Sequence, residues 1–242
     1  MKLKDPIRIN SRKEKRAFAE KRKFEILSKR KYEILLFSLI LHLFIGMFFS
    51  HLKFYQTFIW PINMLIVGNA SVGVFLGKSN WKIFIKNLLF LLALALPIGL
   101  PFLGHLPYYI LILNCIYILF FSFIFIEVIK FLIRPSYINA DVISASACGY
   151  FLLLEINVFL MQLLFYTNPN SFIGVSNKNS SETLIDLVYF CSVTLTSTGF
   201  GDITPNSTNT KLITSLFGII GHFYSVVLVG ILISKYSSKP KN

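Results

Sequence analysis

Six runs of roughly 20 mostly apolar residues constrain this chain more than any other feature: Ile34–Ser50, Phe58–Leu76, Ile83–Leu103, Tyr108–Ile133, Ile138–Tyr166 and Leu212–Tyr236. A helix of about 20 residues crosses the hydrocarbon layer of a bilayer. Lipid cannot satisfy an open strand edge, so such runs are expected as helices. Composition agrees. Only 14% of residues are charged and 55% are hydrophobic, whereas soluble domains carry about 25% charged residues. A soluble fold of 242 residues has too little interior to hide this much apolar surface. The expected class is an all-α membrane protein with six transmembrane helices.

The net charge of +13 is unevenly spread: 13 of the 24 Lys and Arg lie between Met1 and Lys31. Without an interleaved aromatic or glycine pattern, that segment does not read as a nucleic-acid site. Basic flanks mark the cytoplasmic side of a membrane protein. With the N-terminus inside, Lys78, Lys82 and Lys86 fall near one inner turn, Lys130 and Arg134 near the next, and Lys235, Lys239 and Lys241 in the tail. The outer turns hold Lys53 and His105. The expected topology is multi-pass in a cell (inner) membrane, with both termini cytoplasmic. Residues 1–32 are expected as a basic cytoplasmic segment attracting anionic lipid. No signal peptide is expected, because the first apolar run begins after more than thirty residues and no small-residue cleavage site follows. Cys115, Cys148 and Cys191 have no metal-ligand spacing and read as small buried residues.

Between the fifth and sixth runs, Thr167 to Lys211 breaks the pattern. It begins polar, then holds a short apolar stretch, Leu184–Leu195, too short to cross the membrane. Thr183 with Asp186 reads as a variant of the capping box that starts a helix. A short helix followed by a glycine-rich turn points to a re-entrant loop, tolerated at membrane depth where it lines a water-filled cavity. The turn reads Thr194-Leu195-Thr196-Ser197-Thr198-Gly199-Phe200-Gly201-Asp202. A dehydrated cation needs oxygens in place of its water, and successive backbone carbonyls supply them when they point one way. Gly199 and Gly201 make the required dihedrals cheap. The side chains of Thr198 and Phe200 would pack outward, and Ser197 adds a hydroxyl. The helix before the turn would aim its partially negative C-terminus at the cation.

This nine-residue run resembles the potassium-channel pore signature T-x-T-T-V-G-Y-G-D, standing here as T-L-T-S-T-G-F-G-D. Asp186–Phe190, Gly221–Tyr224, Val227–Val229 and Gly149–Leu154 look like parts of small bacterial potassium channels. The likeness runs from Ile138 to Tyr236; the first four spans resemble six-span members only generically. The family implied is that of bacterial six-transmembrane, single-pore-loop potassium channels without a charged voltage-sensor helix. The resemblance implies a homotetramer and no enzymatic activity. It implies no cofactor, with K+ only as permeant ion, held by Ser197, Thr198, Gly199, Phe200 and Gly201. Filter support is expected from Thr194, Thr196, Tyr189 and Asp202. Overlaid on the family, Tyr189 takes a place usually held by a tryptophan that bonds the aspartate, so a Tyr189–Asp202 hydrogen bond is expected. Three positions depart from the signature: Ser197 for Thr, Thr198 for Val, whose hydroxyl needs a partner, and Phe200 for Tyr.

Gly221, nineteen residues after Asp202, is a gating-hinge candidate, with close helix packing as the alternative; Gly218 and Gly230 read as packing glycines. His222 and Ser225 are candidates to face the cavity. Glu155 and Asn157 are intramembrane polar groups expected either to act or to bond a neighbouring helix. The stretch Tyr108–Ile129 lacks Lys and Arg, so voltage gating by a charged fourth helix is not expected. With six residues after Tyr236, a nucleotide-binding or potassium-regulating domain is not expected. The domain expectation is 1–32 basic segment, 33–134 four-helix peripheral domain, 135–237 pore domain and 238–242 tail. The rival readings are a less selective monovalent cation channel, a potassium transporter subunit, which would fuse four pore repeats, and a non-conducting receptor or scaffold.

Overall fold

The computed structural model describes residues 30–48, 54–104, 106, 108–133 and 140–237. Most of the N-terminal basic segment, Lys53, His105, Arg134, the side chain of Lys235, and the tail with Lys239 and Lys241 lie outside the described residues or side chains. The long helices are α1 (Lys31–Phe44, extended by a 3-10 turn Ile45–Phe48), α2 (Trp60–Phe75, preceded by a π-turn Tyr55–Ile59), α3 (Asn80–Leu103), α4 (Tyr109–Ile133) and α5 (Ala140–Thr167). Then come a 3-10 turn Pro169–Ser171, strand β1 (Phe172–Ile173), α6 (Ser180–Leu195), strand β2 (Thr204–Pro205) and α7 (Thr208–Ser237). Helices α1 to α5 and α7 are long and apolar enough to cross a membrane, and these six correspond to the six runs of the sequence. The boundaries differ by a few residues; α7 starts at Thr208, four residues ahead of Leu212, because polar Thr208–Lys211 forms its first turn.

Helix α5 is the hub: it packs on α1, α4, α6 and α7, while α3 touches mainly α4 and α2. Its central position shows in its residues, with Leu152, Val158 and Met161 fully buried. An aromatic cluster ties three helices together. Trp60 of α2 donates its indole N–H to the Tyr117 hydroxyl of α4 at 2.8 Å. Phe159 of α5 stacks on Tyr117 and Phe121, with centroids 4.5 and 5.8 Å apart. Two polar links join distant segments inside this apolar body. His42 Nδ1 of α1 lies 2.7 Å from Glu155 Oε1 of α5, with side chains 5% and 1% exposed. Glu155 therefore bonds a neighbouring helix. Asn157 is buried and neither of its amide atoms is hydrogen-bonded. Glu127 near the end of α4 is surrounded by lysines: Lys82 at 2.6 Å, Lys78 at 3.0 Å and Lys130 at 3.4 Å. Three of the topology lysines are thus gathered on one carboxylate, and Lys86 is buried rather than at the surface.

Three expectations are corrected. Cys115 is exposed, unlike buried Cys148 and Cys191, because it sits on the face of α4 turned away from the other helices. A side chain at Gly218 or at Gly230 would meet nothing within 4 Å, so the expected packing is not within the chain and would have to be against another copy. The start of α6 is set by Asn179, not by Thr183 with Asp186, as described next.

Candidate functional site: the loop after α6

Asn179 has extended backbone and caps α6, its Oδ1 accepting the Glu182 N–H at 2.9 Å while its amide donates to Glu182 Oε1 at 2.8 Å. The reciprocal pair does the work of a capping box one turn earlier than Thr183. Thr183 instead donates to the Ser176 carbonyl at 2.7 Å, and Asp186 accepts the Ser176 N–H at 2.7 Å. These bonds fold the polar linker onto the first turn of α6. The Ser176 hydroxyl donates to Glu182 at 2.7 Å and holds that carboxyl below its ordinary pKa. Leu184, Leu187, Val188 and Cys191 bury one side of α6, which packs on α5 and α7.

The last turn of α6 shapes the loop. Thr198 N–H and Gly199 N–H both donate to the Val193 carbonyl, at 2.8 and 3.1 Å, and Ser197 N–H donates to Thr194 O at 3.0 Å. A trans peptide holds its C=O opposite its N–H. With the Thr198 and Gly199 amides turned towards the helix end, the Ser197 and Thr198 carbonyls are turned away from it. Gly199 (φ +52°) and Gly201 (φ +83°) both occupy the left-handed region, the freedom for which glycine is suited. Ser197 also has φ +58°, a strained conformation for a residue with a Cβ and one that the sequence does not announce.

The departures from the signature find partners. The Thr198 hydroxyl lies 3.1 Å from that of Thr196, which also donates to Ser192 O at 2.8 Å. Thr194 contributes its backbone carbonyl to Ser197. The Phe200 ring lies parallel to that of Tyr189, with centroids 6.3 Å apart and planes 3° apart, yet remains 69% exposed. The Tyr189 hydroxyl donates to Asp202 Oδ2 at 2.8 Å, as the sequence reading expects. That bond raises the phenol pKa. Asp202 and the five loop residues from Ser197 to Gly201 are all exposed in the single chain.

Beyond Asp202 the chain is tied to the linker before α6, a connection the sequence did not reveal. Ile173 pairs with Thr204 and Phe172 with Pro205. The Ser171 carbonyl accepts from Asn206 N–H at 2.7 Å and from the Thr210 hydroxyl at 2.9 Å. Gly174 has φ +90°, and a Cβ there would run into the Asp202 carbonyl.

In α7, Gly221 is buried, and a Cβ on it would stand 3.0 Å from the Leu195 side chain at the end of α6. The helix runs through Gly221 without interruption. His222 is exposed, and half-buried Ser225 donates to the Gly221 carbonyl at 2.9 Å. Tyr224, unremarked as a functional residue in the sequence, donates to Ser146 O of α5 at 2.9 Å, its hydroxyl filling the space over Gly149. Among the described residues no His, Cys, Asp and Glu group forms a metal cluster.

No solved structure matches the chain. Two-pore potassium channel 3 of Arabidopsis thaliana is 35% identical over 83 residues, 34% of this chain and 18% of that protein. Two pore potassium channel a of Oryza sativa subsp. japonica is 36% identical over 84 residues, 35% of this chain and 22% of that protein. The chain therefore spans about a fifth of the length of these curated relatives. Residues 150–238, which hold most of α5, the whole of α6, the glycine loop and α7, match the family model described as ion channel.

Proposed function

We propose that this chain is one subunit of a homotetrameric, potassium-selective channel that conducts K+ passively through a central pore. The observation that carries the reading is the loop Ser197–Gly201. The Ser197, Thr198 and Gly199 amides are spent on the Val193 and Thr194 carbonyls, the glycines of the loop are left-handed, and its Ser197 and Thr198 carbonyls face away from α6. One chain supplies one such strand, and four around an axis would replace the hydration shell of a potassium ion with rings of carbonyl oxygen. Residues Ser197, Thr198, Gly199 and Phe200 would hold the ion, and the C-terminus of α6 would add its partial negative charge. Thr194, Thr196, Tyr189 and Asp202 brace the loop. The exposed row Leu212, Leu216, Ile219 and Phe223 on α7 supports a further layer of protein against that helix. His222 and Ser225 then lie towards the cavity, and Gly221 is the hinge candidate. Conduction needs no covalent chemistry.

The division into a basic segment 1–32, a peripheral domain 33–134, a pore domain 135–237 and a tail 238–242 follows, with both termini cytoplasmic. Lys130, the described cation of α4, is engaged by Glu127 at the helix end, which fits a fourth helix that does not sense voltage. The basic N-terminal segment would sit on anionic lipid. The likeness to bacterial six-span channels rests on the motif, whereas the relatives named above are plant proteins. A less selective cation channel is the second reading, favoured by Thr198 and Phe200 where the signature has Val and Tyr. Gly199→Ala tests the carbonyl ring: a Cβ opposes φ +52° and should abolish selective flux in reconstituted vesicles while the protein still folds. A fully selective Gly199→Ala channel would refute it.

A further inference from the structure

The lysine cluster around Glu127 is not explained by a pore. Glu127 is 1% exposed, while the side chains of Lys78, Lys82 and Lys130 are 27%, 34% and 52% exposed. One carboxylate thus gathers three ammonium groups, leaving two positive charges without a counterion in the cluster. Lys82 and Lys130 share the same oxygen, Oε1, which forces their like charges close together. Such an arrangement is stable where a mobile anion can join it.

Its place in the fold identifies the anion. Lys78 lies just before α3 and Lys82 in its first turn, at one end of two candidate membrane spans. The positive end of the α3 dipole adds to the same field. Next to Lys82, exposed Trp81 stacks with exposed Phe84, centroids 6.1 Å apart. Aromatic side chains of this kind sit at headgroup level in membranes. From them an exposed apolar stripe, Phe84, Leu88 and Leu91, runs along α3 at helical spacing.

We propose that this cluster is a binding site for an anionic phospholipid: the three lysines hold the headgroup phosphate, Glu127 fixes their positions, and an acyl chain lies along the α3 stripe. This rests on the chain spanning a membrane but not on its conducting ions. Its lysines are other residues than those of the basic segment before α1.

Of the chain's two tryptophans, buried Trp60 and exposed Trp81, only Trp81 adjoins the site, and it reports on the site directly in a Trp60→Phe background. The full chain would be reconstituted in phosphatidylcholine vesicles containing, at equal mole fraction, either brominated phosphatidylglycerol or brominated phosphatidylcholine. The proposal expects stronger quenching of tryptophan fluorescence by the anionic lipid, reflecting roughly tenfold enrichment beside Trp81. The preference should persist with excess inorganic phosphate, which a site for free phosphate would not allow. Replacing Lys78, Lys82 and Lys130 by Arg should keep it. Replacing them by Gln together with Glu127→Gln removes the charges without stranding a buried carboxylate, and should cut it to the level that the basic N-terminal segment sets. Equal quenching by both lipids in the unaltered chain would overturn the proposal. So would a preference undiminished in the fourfold Gln variant, or one that phosphate erases. Potassium flux measured on the same vesicles separates a failure of this site from a failure of the channel reading.

Discussion

Breaking the buried His42–Glu155 pair should cost far more than removing both its members. The two groups sit 113 residues apart in sequence, on α1 and α5, and meet at 2.7 Å with almost no solvent contact. They lie directly behind α6, whose Leu184 and Val188 line the same small pocket. Glu155 Oε2 accepts no hydrogen bond, so His42 is the carboxyl group's partner. Removing one member of a buried ion pair costs about 3–5 kcal/mol, whereas replacing both by apolar groups of similar volume is often close to neutral. A neutral interhelical hydrogen bond in a membrane contributes less, about 0.6–2 kcal/mol. Glu155→Leu and His42→Leu are therefore expected to destabilise by about 3 kcal/mol each, and the double variant by less than either single one, if the pair is charged. The assay is reversible unfolding in mixed micelles, read as a double-mutant cycle. A coupling above about 2 kcal/mol supports the pair as the polar link between α1 and α5. Single costs that simply add, within about 0.5 kcal/mol, would refute the reasoning.

Two further outcomes follow from the loop. Tyr189→Phe removes the donor to Asp202 while keeping the ring against Phe200, so the fold should persist while current decays faster during sustained opening; unchanged decay in single-channel records would reduce the bond to decoration. Gly174→Ala forces a Cβ towards the Asp202 carbonyl at φ +90° and should destabilise the outer strand pair by about 1–3 kcal/mol, seen as faster amide exchange at Ile173 and Thr204; unchanged exchange would show that the linker yields freely.

The six spans were legible because lipid demands long uninterrupted apolar runs, a signal that each helix carries alone. The glycine loop was legible because its φ values leave few residue types to choose from at Gly199 and Gly201. What stayed hidden depends on pairing across distance. Glu127 draws no attention in the sequence, and Lys78, Lys82 and Lys130 read as topology markers, since nothing local tells that they converge. The same holds for His42 with Glu155 and for the strand pair joining Phe172–Ile173 to Thr204–Pro205. The cap of α6 was misplaced for a different reason: the stretch from Asn177 to Thr183 offers several polar side chains able to cap, and only the fold of the linker selects Asn179. Ser197 in the left-handed region was missed because serine gives no such signal.

Potassium selectivity is measured most directly as the reversal potential of the purified chain in a planar bilayer with K+ on one side and Na+ on the other. A ring of carbonyls from Ser197 to Phe200 predicts a current that reverses far towards the potassium equilibrium potential, and the loss of that selectivity in Gly199→Ala. A reversal potential near zero under the same gradient, or no current from tetramers that are demonstrably folded, would contradict it.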